Sequence, residues 1–308
     1  MSINYCEKER VFTLQTQNAT YQMIVDSHGY LLHCYYGAKI ERQNLSYCIQ
    51  PQDRGFAANP PDAAGDRTLS PDTLPQEYST FGVGDFRESC LDVRDKNGGV
   101  AADLRYGSYR IYPGKKPLNG LPAAYGNEKD VDTLEIDLRD EVSGLVVTLR
   151  YSVFAQWDVI ARSAEIFNRG TGVLILERAL SCCLDEPVPA SRDILTFYGR
   201  HMGERNLERM PLRHGKFRVD SMRGASSPHY NPFVILCDSA ATETAGNCWA
   251  FSLVYSGNFI AQAEVDQIDT LRFVMGIAPQ NFSWELKPGA SFQAPEVLLC
   301  FSDYGFDA

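Results

Sequence analysis

Between Ile49 and Glu88 the chain gathers Asp53, Arg54, Asp66, Arg67, Asp72, Glu77, Asp85 and Arg87 among Phe56, Tyr78, Phe81 and Phe86. This mixture of acids, bases and rings is that of an ordered functional loop, not of a low-complexity linker. The same stretch holds Pro51, Pro60, Pro61, Pro71 and Pro75 with Gly55, Gly65, Gly82 and Gly84, so it cannot form a continuous helix or a central strand. A second irregular stretch, Asp185 to about Pro232, is dense in Arg192, Arg200, His201, Arg205, Arg209, Arg213, His214, Arg218, Arg223 and His229. It suits a surface that meets another chain.

No catalytic signature is complete. A nucleophile elbow, a zinc-protease helix, a P-loop and a dinucleotide glycine fingerprint are all missing, and Gly82-Val-Gly84 reads as a turn. Glycoside hydrolysis needs two carboxylates across a scissile bond, about 5 Å apart for retention and wider for inversion, and sequence alone picks out no such pair. His28, His33, His201, His214 and His229 fit no metal spacing, and His33, on an expected strand, reads as a hydrogen-bonded core residue. Cys182 and Cys183 are adjacent on an expected strand and so point to opposite faces, which disfavours a shared ligand role. Neither a catalytic residue nor a metal or cofactor site is expected in this chain.

The elements around these loops read as strands. Val11 to Gln15, Tyr21 to Val25 and Tyr30 to Tyr36 form an expected meander, with Ser27-His28-Gly29 turning the last two. Longer runs follow at Gly144 to Phe154, Val159 to Phe167 and Val173 to Cys183, with Asn168-Arg-Gly-Thr-Gly172 as a turn. Trp249 to Tyr255, Phe259 to Val265, Thr270 to Ile277, Phe282 to Leu286 and Val297 to Phe301 continue the habit. A single open sheet of so many strands would curl, so two large stacked antiparallel sheets are expected: an all-β supersandwich with few short helices, one domain over 1–308. Trp157, Trp249 and Trp284 are expected to pack in the core.

The bulk properties narrow the partners. A 308-residue chain with 44% hydrophobic and 22% charged residues can bury a large core. Its net charge of -10, with no basic run, excludes a nucleic-acid phosphate backbone as partner. Nine scattered cysteines without paired spacing read as free thiols, and no apolar leader or membrane-length segment is found, so a cytoplasmic protein without membrane contact is expected.

Many segments resemble the N-terminal domain of glycoside hydrolase family 36, the bacterial retaining α-galactosidases. They include Gln52-Asp-Arg-Gly-Phe56, Asp66-Arg-Thr-Leu-Ser70, Leu74-Pro-Gln-Glu-Tyr78, Gly84-Asp-Phe-Arg87, Arg110-Ile-Tyr112 and Leu118-Asn-Gly-Leu-Pro122. Thr133-Leu-Glu-Ile136, Arg223-Gly-Ala-Ser-Ser227, Asn231-Pro-Phe233, Phe251 to Phe259, Glu264-Val-Asp266, Phe282-Ser-Trp284, Pro288-Gly289 and Pro295-Glu-Val297 follow in the family's order.

The resemblance implies a supersandwich of the galactose mutarotase type, standing before a catalytic (β/α)8 barrel expected after residue 308 that supplies both catalytic aspartates. This chain alone is then inactive. Its implied role is to form a homotetramer and to lend loops to the active-site mouth of a neighbouring subunit, in an enzyme for α-galactosides of the raffinose or melibiose type. α-N-Acetylgalactosaminides are the other substrate class. Asp53 and Arg67 carry over as the substrate-binding residues; a carboxylate accepts sugar hydroxyls and a guanidinium donates to them. The alternative is that Asp53-Arg54 and Asp66-Arg67 only brace the loop as internal salt bridges. One departure is Pro228, which stands where the family tends to have histidine, with His229 following. Two other functions compete: a free-standing carbohydrate-binding module gripping sugars on Trp157, Trp249 or Trp284, and an epimerase-like sandwich enzyme, for which no His-Glu constellation can be placed.

Overall fold

The computed structural model describes residues 2–41, 43–53, 59–63, 65–186 and 191–307. Runs of alternating and β-branched residues become strands, and every strand ladder among the described residues is antiparallel. The meander comes first: β1 (Ile3–Cys6), β2 (Val11–Gln15), β3 (Ala19–Val25) and β4 (Leu31–Ala38) form one four-stranded sheet. After the loop come β5 (Leu91–Asp95), β6 (Arg105–Pro113), β7 (Asp132–Asp140), β8 (Leu145–Phe154), β9 (Val159–Asn168) and β10 (Leu174–Glu186). Next are β11 (Arg192–Arg200), β12 (Gly203–Pro211), β13 (Gly215–Ser221), β14 (Tyr230–Asp238) and β15 (Cys248–Val254). The last are β16 (Phe259–Val265), β17 (Leu271–Ile277), β18 (Trp284–Leu286), β19 (Ser291–Gln293) and β20 (Glu296–Ser302).

One layer is a sheet in the order β12-β11-β14-β15-β20-β9-β8-β7-β6, with β19 added beside β9. The other layer holds β13-β16-β17-β10-β18, with β5 also on β10, and the meander. Residues 75–80 join these two smaller sheets. His33 N donates to Pro75 O and Glu77 N to Leu31 O on the β4 side, while Cys90 N and Leu91 N donate to Ser79 O on the β5 side. A single apolar cluster fills the space between the layers, from Phe12 and Leu14 through Ile136, Leu149 and Ile166 to Phe251 and Phe273. Thus the expected stacked-sheet supersandwich is what forms, and its only helical turns among the described residues are 3-10 turns at Ser46–Cys48, Pro61–Ala63 and Ala155–Trp157.

Two expectations need correction. The stretch after Asp185 is not irregular: it supplies β11, β12 and β13. Its β11-β12 hairpin ends the large sheet, and β12 is solvated on both faces, so the alternation that betrays a strand is missing there. Of the three tryptophans only Trp249 packs in the core; Trp157 and Trp284 are exposed. Cys182 and Cys183 occupy successive positions of β10, as expected, and both are buried because β10 is covered on each face.

Candidate functional site

The segment rich in charge divides into a sealed half and an open half. In the sealed half, Glu77 lies wholly buried and meets Arg162 at 2.8 Å, His33 at 3.3 Å, the Tyr21 hydroxyl at 2.6 Å and the Tyr151 hydroxyl at 2.7 Å. Burial pushes the Glu77 pKa up, but Arg162, His33 and Tyr151 outweigh it and hold the carboxyl below its usual range. Arg162 stands on β9 and Glu77 in the opposite layer, so this ion pair spans the core. Asp85 and Asp185 meet Arg272 at 2.8 and 2.6 Å, and Arg87 meets Asp85 at 2.9 Å. These groups are buried and mutually satisfied, which makes them structural.

The open half is held in place by a small apolar cluster of Tyr30, Leu32, Ala63, Leu69 and Leu74 against Ile24 and Ile49. Asp66 turns the chain by accepting from Thr68 N at 2.9 Å and Thr68 Oγ1 at 2.7 Å, and those bonds lower its pKa. Gly65 precedes it at φ +98, a value that residues with a Cβ rarely adopt. Asn59 Nδ2 donates to Leu69 O at 2.8 Å across the loop. Asp62 receives Arg105 at 3.2 Å, and the Arg105 guanidinium lies 3.9 Å from the Tyr30 ring centre.

On this frame the two residues singled out from the sequence come together. Arg67 Nε donates to Asp53 Oδ1 at 3.0 Å, and Nη2 reaches the same oxygen at 3.0 Å. Both side chains stay open to solvent, Asp53 at 58% and Arg67 at 66%. Asp53 therefore keeps Oδ2 clear of Arg67, and Arg67 keeps N–H groups for a ligand. The partners are fourteen residues apart, a pairing that the neighbour-by-neighbour reading of Asp66-Arg67 did not contain. Arg54, Gly55 and Phe56 lie outside the described residues.

His229 is exposed in the turn before β14, its Nδ1 at 3.1 Å from Ser227 Oγ. His33 is the core residue expected from its strand position. The nine cysteines are free, and burial pushes the Cys182 thiol up to about 12 and that of Cys183 well above its ordinary value, so neither is a ready nucleophile.

A family model for the N-terminal domain of glycosyl hydrolase family 36 matches residues 29–287. This chain belongs to that family. It is 47% identical over its whole length to the bifunctional alpha-galactosidase/sucrose kinase AgaSK of Mediterraneibacter gnavus, covering 33% of that protein. It is 45% identical to the alpha-galactosidase AgaA of Geobacillus stearothermophilus, again over the whole chain and 42% of that protein. The galactosidase domain of AgaSK superposes with a TM-score of 0.96 over 98% of this chain and 42% of that one. An AgaA variant solved in complex with raffinose superposes at 0.92 over 96% of this chain and 41% of that one, at 46% identity. This family 36 domain thus spans about a third to two-fifths of the length of these relatives.

Proposed function

We propose that this domain is the accessory, oligomer-forming part of a retaining α-galactosidase that hydrolyses terminal α-galactosides of the raffinose and melibiose type. In this reading the catalytic carboxylates belong to a barrel, and the Asp53–Arg67 pair reaches the sugar-binding end of a neighbouring subunit's site. The observation that carries it is an exposed carboxylate and guanidinium fixed 3.0 Å apart on a pinned loop, in a fold shared with α-galactosidases. Exposed Tyr198, Met202 and Leu207 on the β11-β12 edge hairpin support an interface with another subunit of the proposed homotetramer, since unpaired edges and apolar patches on a surface are usually covered by a partner. Nine free thiols support a reducing cytoplasm.

Two measurements test this reading. The 308-residue chain alone should leave a chromogenic α-galactoside unhydrolysed; turnover free of contaminating hydrolase would end it. In the full-length protein, Asp53→Ala and Arg67→Ala should each raise KM for raffinose by roughly tenfold, the scale of one or two lost hydrogen bonds. They should do so without changing the melting temperature, because an exposed ion pair contributes little to stability. An unchanged KM in both variants would remove these residues from the sugar site.

A further inference from the structure

A concave site lies away from Asp53 and Arg67, where β8, β9, β18 and β19 meet the loop after β6. It encloses about 460 Å3 and is walled by Lys116, Asn119, Arg150, Glu165, Trp284 and Gln293. That volume falls within the range of roughly 300–1,000 Å3 usual for small-molecule sites. Two of the segments that resemble the family, 118–122 and 282–284, meet at it although they are far apart in the chain.

Trp284 is 48% exposed, yet its orientation is fixed. Its ring stands edge-on to Phe292 with centroids 5.3 Å apart, and Phe292 is packed in turn against Phe282 at 5.5 Å. The indole is thus a rigid apolar platform that the domain's own core does not cover. Beside it, Arg150 is nearly buried and bonded through Nε to Glu135 Oε1 at 3.0 Å. Two further contacts, on the pocket side, are long: Nη1 lies 3.4 Å from Gln293 Oε1 and Nη2 3.6 Å from Glu165 Oε2. Contacts of that length leave N–H and carboxylate capacity for a better-placed partner. The Gln293 amide is oriented because its Nε2 donates to Ala164 O at 3.1 Å and Ala294 O at 2.8 Å, leaving Oε1 on the Arg150 side.

We propose that this pocket is a saccharide site, taking one pyranose unit of an oligosaccharide with its C–H face on Trp284 and its hydroxyls on Arg150, Glu165 and Gln293. The chemistry selects this class. Arg110, Lys116 and Arg150 are balanced by Glu135, Asp137 and Glu165, so a phosphate has no net attraction, while an apolar peptide would leave the charged floor unpaired. A pyranose supplies both the apolar face and the ring of hydroxyls that the walls require. The site stands independently of Asp53 and Arg67.

The test is a titration of the 15N-labelled 308-residue chain with galactose, glucose and raffinose, following the three indole N–H resonances. The Trp284 signal should shift saturably at millimolar sugar. The Trp249 signal, buried and bonded to Tyr36 O at 2.9 Å, serves as the internal control and should stay. Trp284→Ala, which removes that reporter, should abolish the saturable binding heat of the same sugars in calorimetry, and Gln293→Ala should weaken binding at least about fivefold with an unchanged circular-dichroism spectrum. The Asp53→Ala/Arg67→Ala double variant should bind as the parent does. No saturable shift with any of these sugars up to roughly 100 mM would overturn the proposal. So would a response that survives Trp284→Ala, or one that vanishes in the double variant and so belongs to Asp53 and Arg67 instead.

Discussion

Glu77 keeps its charge where water does not reach because four groups from both layers converge on it. Arg162 and Tyr151 stand on the large sheet, and Tyr21 and His33 on the meander. Removing one partner leaves a buried charge without compensation, which is far more costly than the pair itself is stabilising. Arg162→Met should therefore destabilise the domain by about 3–5 kcal/mol, measured by urea unfolding, with Arg162→Met/Glu77→Gln partly restoring it. If the single variant unfolds at the parent's midpoint, the pair does not tie the layers. The sequence marked Glu77 only as one of many charged residues in a loop. What separates it from Asp53 is burial, and burial depends on strands as distant as β9. By contrast Asp53 and Arg67 were legible as a pair of interest through the motifs around them, while their mutual ion pair needed the loop's turn at Gly65 and Asp66.

At the scale of elements, several strands rich in apolar and β-branched residues were readable within a residue or two. Val11 to Gln15 and Phe259 to Val265 have the same bounds in sequence and structure. The edge strand β12 was not readable, because a strand solvated on both sides carries no hydrophobic period. A further feature that periodicity does not reveal is the bulge in β10 between Leu180 and Cys182, where β17 crosses it with Gly276. A Cβ on Gly276 would sit 2.7 Å from Leu180 Cα and from Ser181 N, both backbone atoms of a packed strand. Gly276→Ala should cost about 1–3 kcal/mol, seen as a lower melting temperature, as overpacking does elsewhere. Gly172→Ala, with open space at its Cβ, is the matched control and should not lower it. Equal melting temperatures for the two variants would mean that the close approach is not a constraint.

For the whole molecule the same carboxylates set its tolerance of acid. Glu88 joins the loop to β10 and β13 through Arg178 and Lys216. Burial alone would raise its pKa; the bonds to Lys216 and Arg178 win and hold it at about 2, against 4.5 for an ordinary glutamate. The unfolded chain then binds this proton more readily than the folded one, so stability rises with pH across the window between those values. The contribution of Glu88 is fully present above that window and is lost as pH falls through it. Glu77 and Asp85, also held below their usual ranges, act in the same direction. Urea midpoints should fall steeply on acidification below about pH 4.5, and Glu88→Gln should flatten part of that slope. A flat profile in the parent would contradict the ion-pair account.

The chain's own order of residues determined the strand runs, the all-antiparallel class, the loop that breaks them and the family, because alternation, turn residues and local motifs are short-range properties. The tertiary structure alone decided which charges are sealed and which face outward, that Asp53 meets Arg67, and that Trp284 shares a pocket with Arg150 and Gln293. Those outcomes depend on strands far apart in sequence being laid side by side. Spacing along a chain does not encode distance across a sheet until the register is set.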